Sequence, residues 1–425
     1  MSQITRCLIV AVLAIAGFGC LEDSENTRGP DVPADSATVF LSDSGSVDIV
    51  RISDLQAVDP PQVEKRLIYS TAADLEFDHV VGAVFLPDSS LVVADRRSSQ
   101  LTFLDREGNV RARTGREGEG PGEYSWIARI GIGADGTLFV YDRRQRRFTF
   151  LDSQGGVTGV ERIERSGEVL PLVRLRSGQS LALFEPRPPL PSGLQRGPVF
   201  LVLADDSWEV VDTLGVWVGK ERHLSREWGE IVVGFGATAL FDGRGLHTVV
   251  GTNDSLDVTL YEGTAPLTRI RGGHSPRQVT AREKEAWTEL YVAMFPEGWR
   301  ADQRRQLEQS TVRETYPAFG ALSVDADGRI WIGDFAKLEE PQRRWTVLGP
   351  EGRPIGALSL PVFRPEWYRF REGLGAMGTG AVEVTTSLPK PRHELLDVTA
   401  GRIAILRRGE LAGEFIEVYE VEIPR

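Results

Sequence analysis

Apolar and polar positions alternate in runs of about five residues through most of this 425-residue chain, and the runs end in Asp, Gly or Asn turns. Period-two alternation of that length predicts short antiparallel strands rather than helices. Residues 91–105 (LVVADRRSSQLTFLD) and 138–152 (LFVYDRRQRRFTFLD), 47 positions apart, repeat one phrase. Each is a strand ending in Asp, an Asp-Arg-Arg turn and a second strand ending in Leu-Asp. Such a unit cannot bury its own faces, so its recurrence predicts copies that are stacked or arranged radially.

Following the phrase along the chain gives six units: Val80–Gly115, Ile127–Ile163, Leu170–Leu214, Ile231–Arg271, Phe319–Leu360 and Leu395–Ile423. Four short strands per unit at this spacing predict an all-β fold, a six-bladed β-propeller of four-stranded antiparallel blades. In the fourth unit Asp242-Gly243 is read as the first hairpin turn. The sixth unit holds three strands, so the ring needs one more to close. Ser46–Ile52 or Arg66–Tyr69 is expected to supply it, because an unpaired edge invites aggregation. One stretch, residues 276–314, breaks the β pattern. Thr280 to Glu283 is a capping box, and Trp287, Leu290, Tyr291 and Met294 fall at helical spacing. A second helix is expected to run to about Glu314. The pair either packs its apolar face on the propeller or forms a lid over a channel mouth.

The N-terminus adds an address. Arg6 precedes an apolar run, Cys7–Phe18, that is too short for a spanning helix and suits a secretory leader. The Gly19-Cys20 junction resembles a bacterial lipobox, which makes residues 1–20 a lipoprotein-type signal peptide and Cys20 the lipidation site. By resemblance to sorting rules, Leu21 after that Cys points to the outer rather than the inner membrane. Residues 21–37, acidic and rich in Pro, Ser and Asp, read as a flexible tether, leaving 38–425 as the folded domain. Cys7 and Cys20 are the only cysteines, so the domain holds no disulfide. The formal charge of −12 argues against nucleic-acid binding.

Three segments carry a resemblance to a known family. The loop Gly115–Tyr124 (GREGEGPGEY) resembles the G-x-x-G-x-G-P-G-E-aromatic signature of bacterial exported six-bladed β-propeller proteins, relatives of the NHL-repeat propellers. Residues 43–50 (DSGSVDIV) resemble the segment that opens such domains, and 325–332 (DADGRIWI) a late strand of theirs. The resemblance implies a fold and an exported, often lipid-anchored location. It brings no catalytic residues with it.

Candidate contacts follow from the repeat. Asp95, Asp142, Glu185 and Asp334 end the second strand of four units, so they are expected around one rim, where carboxylates can converge on a cation or a sugar. Asp at a strand end also caps the turn that follows it. The decapeptide offers Arg116, Glu117, Glu119 and Glu123 at a channel mouth, or serves only as a glycine-rich crossover between blades. No P-loop or nucleophile-elbow pattern is present. No metal site is assigned. The candidates for one, with Ca²⁺ or Zn²⁺, are His79, His393, Asp95, Asp142 and Asp334. Trp126 and Trp331 are candidates for sugar stacking. No cofactor is expected. The function read from the sequence is a membrane-anchored envelope binding module, a monomer that takes a peptide, glycan or partner protein. The alternative is a metal-dependent lyase or lactone hydrolase with its site at the channel mouth.

Overall fold

A computed structural model describes residues 39–43, 47–71, 75, 77–163, 168–186, 192–273, 275–293, 295–337, 340, 342–361, 395–399, 401–408 and 414–424. The leader, Cys20, the tether, Met294 and His393 lie outside the described residues. Three strands come first: β1 (Val39–Asp43), β2 (Asp48–Asp54) and β3 (Lys65–Ser70). Blade 1 is β4 (Val80–Phe85), β5 (Leu91–Asp95), β6 (Gln100–Leu104) and β7 (Val110–Thr114). Blade 2 is β8 (Ile127–Ile132), β9 (Leu138–Asp142), β10 (Arg147–Leu151) and β11 (Val157–Arg162). Blade 3 is β12 (Glu168–Arg174), β13 (Ser180–Glu185), β14 (Gly193–Ala204), β15 (Val210–Ser225) and β16 (Gly229–Val232). Blade 4 contains β17 (Ala239–Arg244), β18 (His247–Thr252), β19 (Leu256–Glu262) and β20 (Ala265–Gly273). Blade 5 is β21 (Ala321–Val324), β22 (Ile330–Gly333), β23 (Gln342–Leu348) and β24 (Pro354–Pro361). Blade 6 contains β25 (Leu395–Val398), β26 (Arg402–Arg408) and β27 (Glu414–Val421).

The chain is therefore a six-bladed propeller, and its core is six apolar clusters, one in each cleft between neighbouring blades. A sheet flanked on both sides must be apolar on both faces. β5 and β9 are accordingly buried at every position, while the outer strands β7 and β11 are largely exposed. Hairpins repeat one device. Asp105 Oδ1 accepts the backbone N–H groups of Glu107 and Asn109, and Asp152 Oδ1 those of Gln154 and Gly156, so each acid closes its own turn. At Trp208 the equivalent turn position has φ +62°, where a non-glycine residue is unusual, and the indole stacks on Phe148 of blade 2 with centroids 4.6 Å apart.

Ring closure uses β3. It pairs antiparallel with β27, so the segment around Arg66–Tyr69 completes blade 6. The other candidate, around Ser46–Ile52, goes elsewhere: β2 pairs parallel with β20 at the outer edge of blade 4, and β1 pairs with β2. Between them the chain crosses blade 5, where Val63 N–H donates to Ala357 O (2.7 Å) and Ala357 N–H to Pro61 O (2.9 Å). Arg344 of β23 donates to Val58 O at 2.5 Å. Residues 48–70 thus form a strap across three consecutive blades.

Three expectations need correcting. Blade 3 has five strands and extends to Val232, because β14 and β15 form a long hairpin and β16 folds back on β15. Blade 4 therefore starts at Ala239, not Ile231. Asp242-Gly243 is not a turn but lies within β17, and the chain turns after it, where Gly245 has φ +60°. Two helices fill most of the insertion, α1 (Ala281–Ala293) and α2 (Glu297–Glu308), the second ending before Glu314. Thr280 and Glu283 form the reciprocal cap, with Thr280 N–H to Glu283 Oε2 at 2.8 Å and Glu283 N–H to Thr280 Oγ1 at 3.2 Å. Trp287 and Tyr291 pack against Ile231, Val292 and Leu307, at the outer end of blade 3.

Candidate functional site

The first strand of each blade lines the central channel, and three of these strands carry charge where a propeller wall is otherwise apolar. Arg129 of β8 faces Asp242 of β17 at 3.2 Å, and also donates to Gly243 O. Arg244, at the end of β17, is paired with Asp397 of β25 and donates to Phe85 O of β4 at 2.8 Å. Phe85 N–H donates to Asp397 Oδ2 at 2.6 Å, and Ser323 of β21 donates to Asp242 Oδ2 at 2.6 Å. Blades 1, 2, 4, 5 and 6 are thereby tied through one buried polar network, with Leu170 of blade 3 beside it. Burial pushes the Asp397 carboxyl above the usual carboxylate range, against the pull of Arg244 and the Phe85 N–H. The described residues around this network enclose a cavity of about 80 Å³. That suits a few waters and is well below the roughly 300–1,000 Å³ of small-molecule sites.

Because strands alternate in direction, the crossovers between blades and the second hairpin of each blade share one face. The strand-end acids lie on this crossover face but turn inward. Asp95 accepts from Asp78 N–H (2.9 Å) and Arg97 N–H (2.7 Å). Asp142 accepts from the N–H groups of Ser125, Trp126 and Gln145 at 2.6, 2.9 and 2.9 Å. Each clips the start of its own blade to the following turn. In blade 4 Asn253 does the same work, accepting from Thr238 N–H at 2.7 Å and donating to Phe319 O at 2.9 Å. Glu185 is buried in a pair with Arg222. Asp334 is half-buried near Arg344, Arg277 and Arg343; burial nevertheless pushes its carboxyl above the usual range, and Oδ1 has no hydrogen-bond partner among the described residues.

The decapeptide is a folded crossover. Arg147 of β10, 2 % exposed, donates to Glu119 O at 2.6 Å, Gly120 O at 2.9 Å and Glu123 O. Gly115, at φ +94°, has no room for a Cβ, which would lie 2.7 Å from Ser99 O. Glu123 is turned back to Gly120 N–H (2.8 Å) and Arg116 (2.5 Å), which together hold its carboxyl below the ordinary range. The side chains of Arg116, Glu117 and Glu119 remain exposed.

His79 Nε2 lies 3.4 Å from Arg96 Nη1, and His393 is outside the described residues. Among the described residues no three His, Cys, Asp or Glu side chains come together as metal ligands. Trp331 is fully buried, so it offers no stacking surface, and Trp126 is covered by the Arg96 guanidinium 4.5 Å from its ring. Sequence reasoning missed Arg129, Asp242, Arg244 and Asp397. Their signal was a charge inside an inner strand (ARIGIG, ALFDGR, LLDV), visible once the blades are aligned on one another.

Neither a protein-family model nor a curated protein matches the chain. Solved structures do. A candidate exported protein of Bacteroides fragilis is 11 % identical, covering 89 % of this chain and 100 % of its own, with a TM-score of 0.47. A DUF4221 family member from Bacteroides vulgatus is 10 % identical, covering 86 % and 100 %, with a TM-score of 0.46. A gluconolactonase of Xanthomonas campestris is 12 % identical, covering 94 % and 99 %, with a TM-score of 0.37. At these identities and scores the likenesses carry nothing about the chemistry of this chain, whose fold stands on its own sheet topology.

Proposed function

We propose that this chain is an exported, NHL-like propeller, lipid-anchored through Cys20, that binds a peptide, glycan or partner protein of the cell envelope at its crossover face. The observation that carries the reading is the polar network across the channel. Asp242 and Asp397, the carboxylates that a channel-bound ligand or cation would need, are each held by a guanidinium, and the space left is small. Recognition then falls to loops, which vary without disturbing the sheets. On the crossover face, Arg116, Glu117 and Glu119 stand exposed on a rigid crossover. The leader ending at Gly19-Cys20 supports export and anchoring.

The test uses arrays of envelope peptides and peptidoglycan fragments, with the chain carrying Arg116→Glu, Glu117→Lys and Glu119→Lys. Lost binding at an unchanged melting temperature supports the reading. Binding that survives these changes and disappears with Asp242→Ala moves the site into the channel. Hydrolysis of a simple aldonolactone that depends on added Ca²⁺ or Zn²⁺ makes the protein an enzyme instead. Incorporation of labelled fatty acid into the wild-type chain but not Cys20→Ser tests the anchor.

A further inference from the structure

The chain enters the propeller on its crossover face. β20 runs towards that face, since it leads into the next blade; β2 is parallel to β20 and β1 antiparallel to β2, so Val39 starts at the crossover end of blade 4. The register places it closely. Val39 is opposite Ile52, and Ile52 is opposite Gly272. Two strand spacings, about 10 Å, therefore separate the first residue of β1 from the root of the helical insertion. That insertion is itself the crossover from blade 4 to blade 5, and Asp54 at the end of β2 accepts from Ser275 Oγ at 2.8 Å. Among the described tryptophans only Trp299 is exposed, at 49 %. It stands in the first turn of α2, at the tip of the helical hairpin, whereas Leu307 near the other end of α2 packs on Ile231 of β16. Arg300 beside it is also exposed, and donates to Phe295 O at 3.0 Å. Leu194, 38 % exposed, shares a register row with His223 and Ile231, on the same side of the ring.

Residues 21–38 separate Val39 from Cys20. A coil of that length spans on the order of 25 Å, well short of the roughly 50 Å width of a domain this size. The crossover end of blade 4, and the insertion rooted there, are thereby kept close to whatever surface holds Cys20. A tryptophan, with an apolar ring and one N–H, favours the headgroup layer of a bilayer over either water or hydrocarbon. We propose that the tip of the helical hairpin, led by Trp299, rests in the phospholipid headgroup layer that holds the anchor and turns the crossover face towards that membrane. The inference rests on the Cys20 anchor proposed above, and it narrows the partner of the crossover face to one lying at the membrane surface. The decapeptide joins blade 1 to blade 2, across the ring from the crossover between blades 4 and 5. The hairpin then acts as a standoff, and the gap it leaves gives such a partner access to Arg116, Glu117 and Glu119.

The experiment uses the lipidated full chain with Cys7→Ser, so that an introduced cysteine is the only free thiol. It is reconstituted on vesicles of phosphatidylethanolamine and phosphatidylglycerol that contain a lipid with a nitroxide headgroup. A fluorophore on Arg300→Cys, next to Trp299, is expected to be quenched several-fold more than one on Glu107→Cys, an exposed turn of blade 1 on the opposite face. Adding Trp299→Ser to the Arg300→Cys chain should remove most of that quenching without lowering the melting temperature, because the indole is exposed. A chain that stays on the vesicles but is quenched equally at positions 300 and 107 overturns the inference and leaves the anchor standing. Quenching that ignores Trp299→Ser assigns the proximity to the tether alone and overturns it as well. A chain that washes off the vesicles overturns the anchor and, with it, this inference.

Discussion

Arg129 on the inner strand of blade 2 and Asp242 on the inner strand of blade 4 face each other at 3.2 Å, past the blade that separates them. With Arg244 and Asp397 they replace the apolar plug that would otherwise fill a propeller channel. Buried ion pairs cost desolvation and return it only when geometry and added hydrogen bonds are good. Here Ser323, Phe85 and the Gly243 carbonyl supply those bonds.

Removing one partner of the Arg244–Asp397 pair leaves a charge buried without its counterion. Arg244→Ala is expected to cost about 3–5 kcal/mol, whereas Arg244→Met with Asp397→Leu should recover most of that. Urea denaturation midpoints check both. A double variant as unstable as the single one would mean that these residues set the channel geometry rather than merely balance charge.

Asp334 gives a pH-dependent prediction. Its folded-state pKa lies above the ordinary Asp value, so the folded protein binds that proton more tightly than the unfolded chain does. The ionised carboxylate therefore costs stability once pH rises through the folded pKa, and the cost is absent well below about 3.9. Asp334→Asn should stabilise the protein at pH 7, with the gain shrinking as the solution is acidified towards pH 4. Thermal melts at the two pH values measure the difference.

The strap should be sensitive at its buried face alone. Val50 is fully buried between blades 4 and 5, whereas Leu67 is 48 % exposed. Val50→Asp is expected to cost about 3 kcal/mol or more by burying an unpaired carboxylate. Leu67→Asp should stay within about 0.5 kcal/mol. Equal effects would show that the strap is not packed as described.

Arg147 holds the crossover by three carbonyls. Arg147→Met keeps the aliphatic stem but loses the donors, at a cost on the order of 2–3 kcal/mol. Limited trypsin digestion should then cut after Arg116 faster than in the wild type.

Much of the architecture was legible because a propeller repeats its local chemistry. Blades 1, 2 and 5 keep their strands and Asp turns in register, and the three-stranded last unit announced that an N-terminal strand closes the ring. Blade 4 misled because Asp242-Gly243 has the composition of a turn while packing as a strand. Only the channel partner 113 residues upstream explains why an acid belongs there. The strap was invisible for a related reason: β2 pairs parallel with a strand more than 200 positions away, and neither segment's own pattern specifies the other. At the rim, the positions of the acids were legible and their partners were not. Capping by Asp95 and Asp142 depends on backbone N–H groups 17 and 16 residues upstream, respectively.

Whether guanidinium partners consume the channel acids is decided by the metal content of the chain, purified without chelator and then titrated with Ca²⁺ and Zn²⁺ in a calorimeter. With both acids paired, no stoichiometric cation and no saturable heat are expected. One tightly held ion per chain, lost on Asp242→Asn or Asp397→Asn, would contradict it and put the chemistry back in the channel.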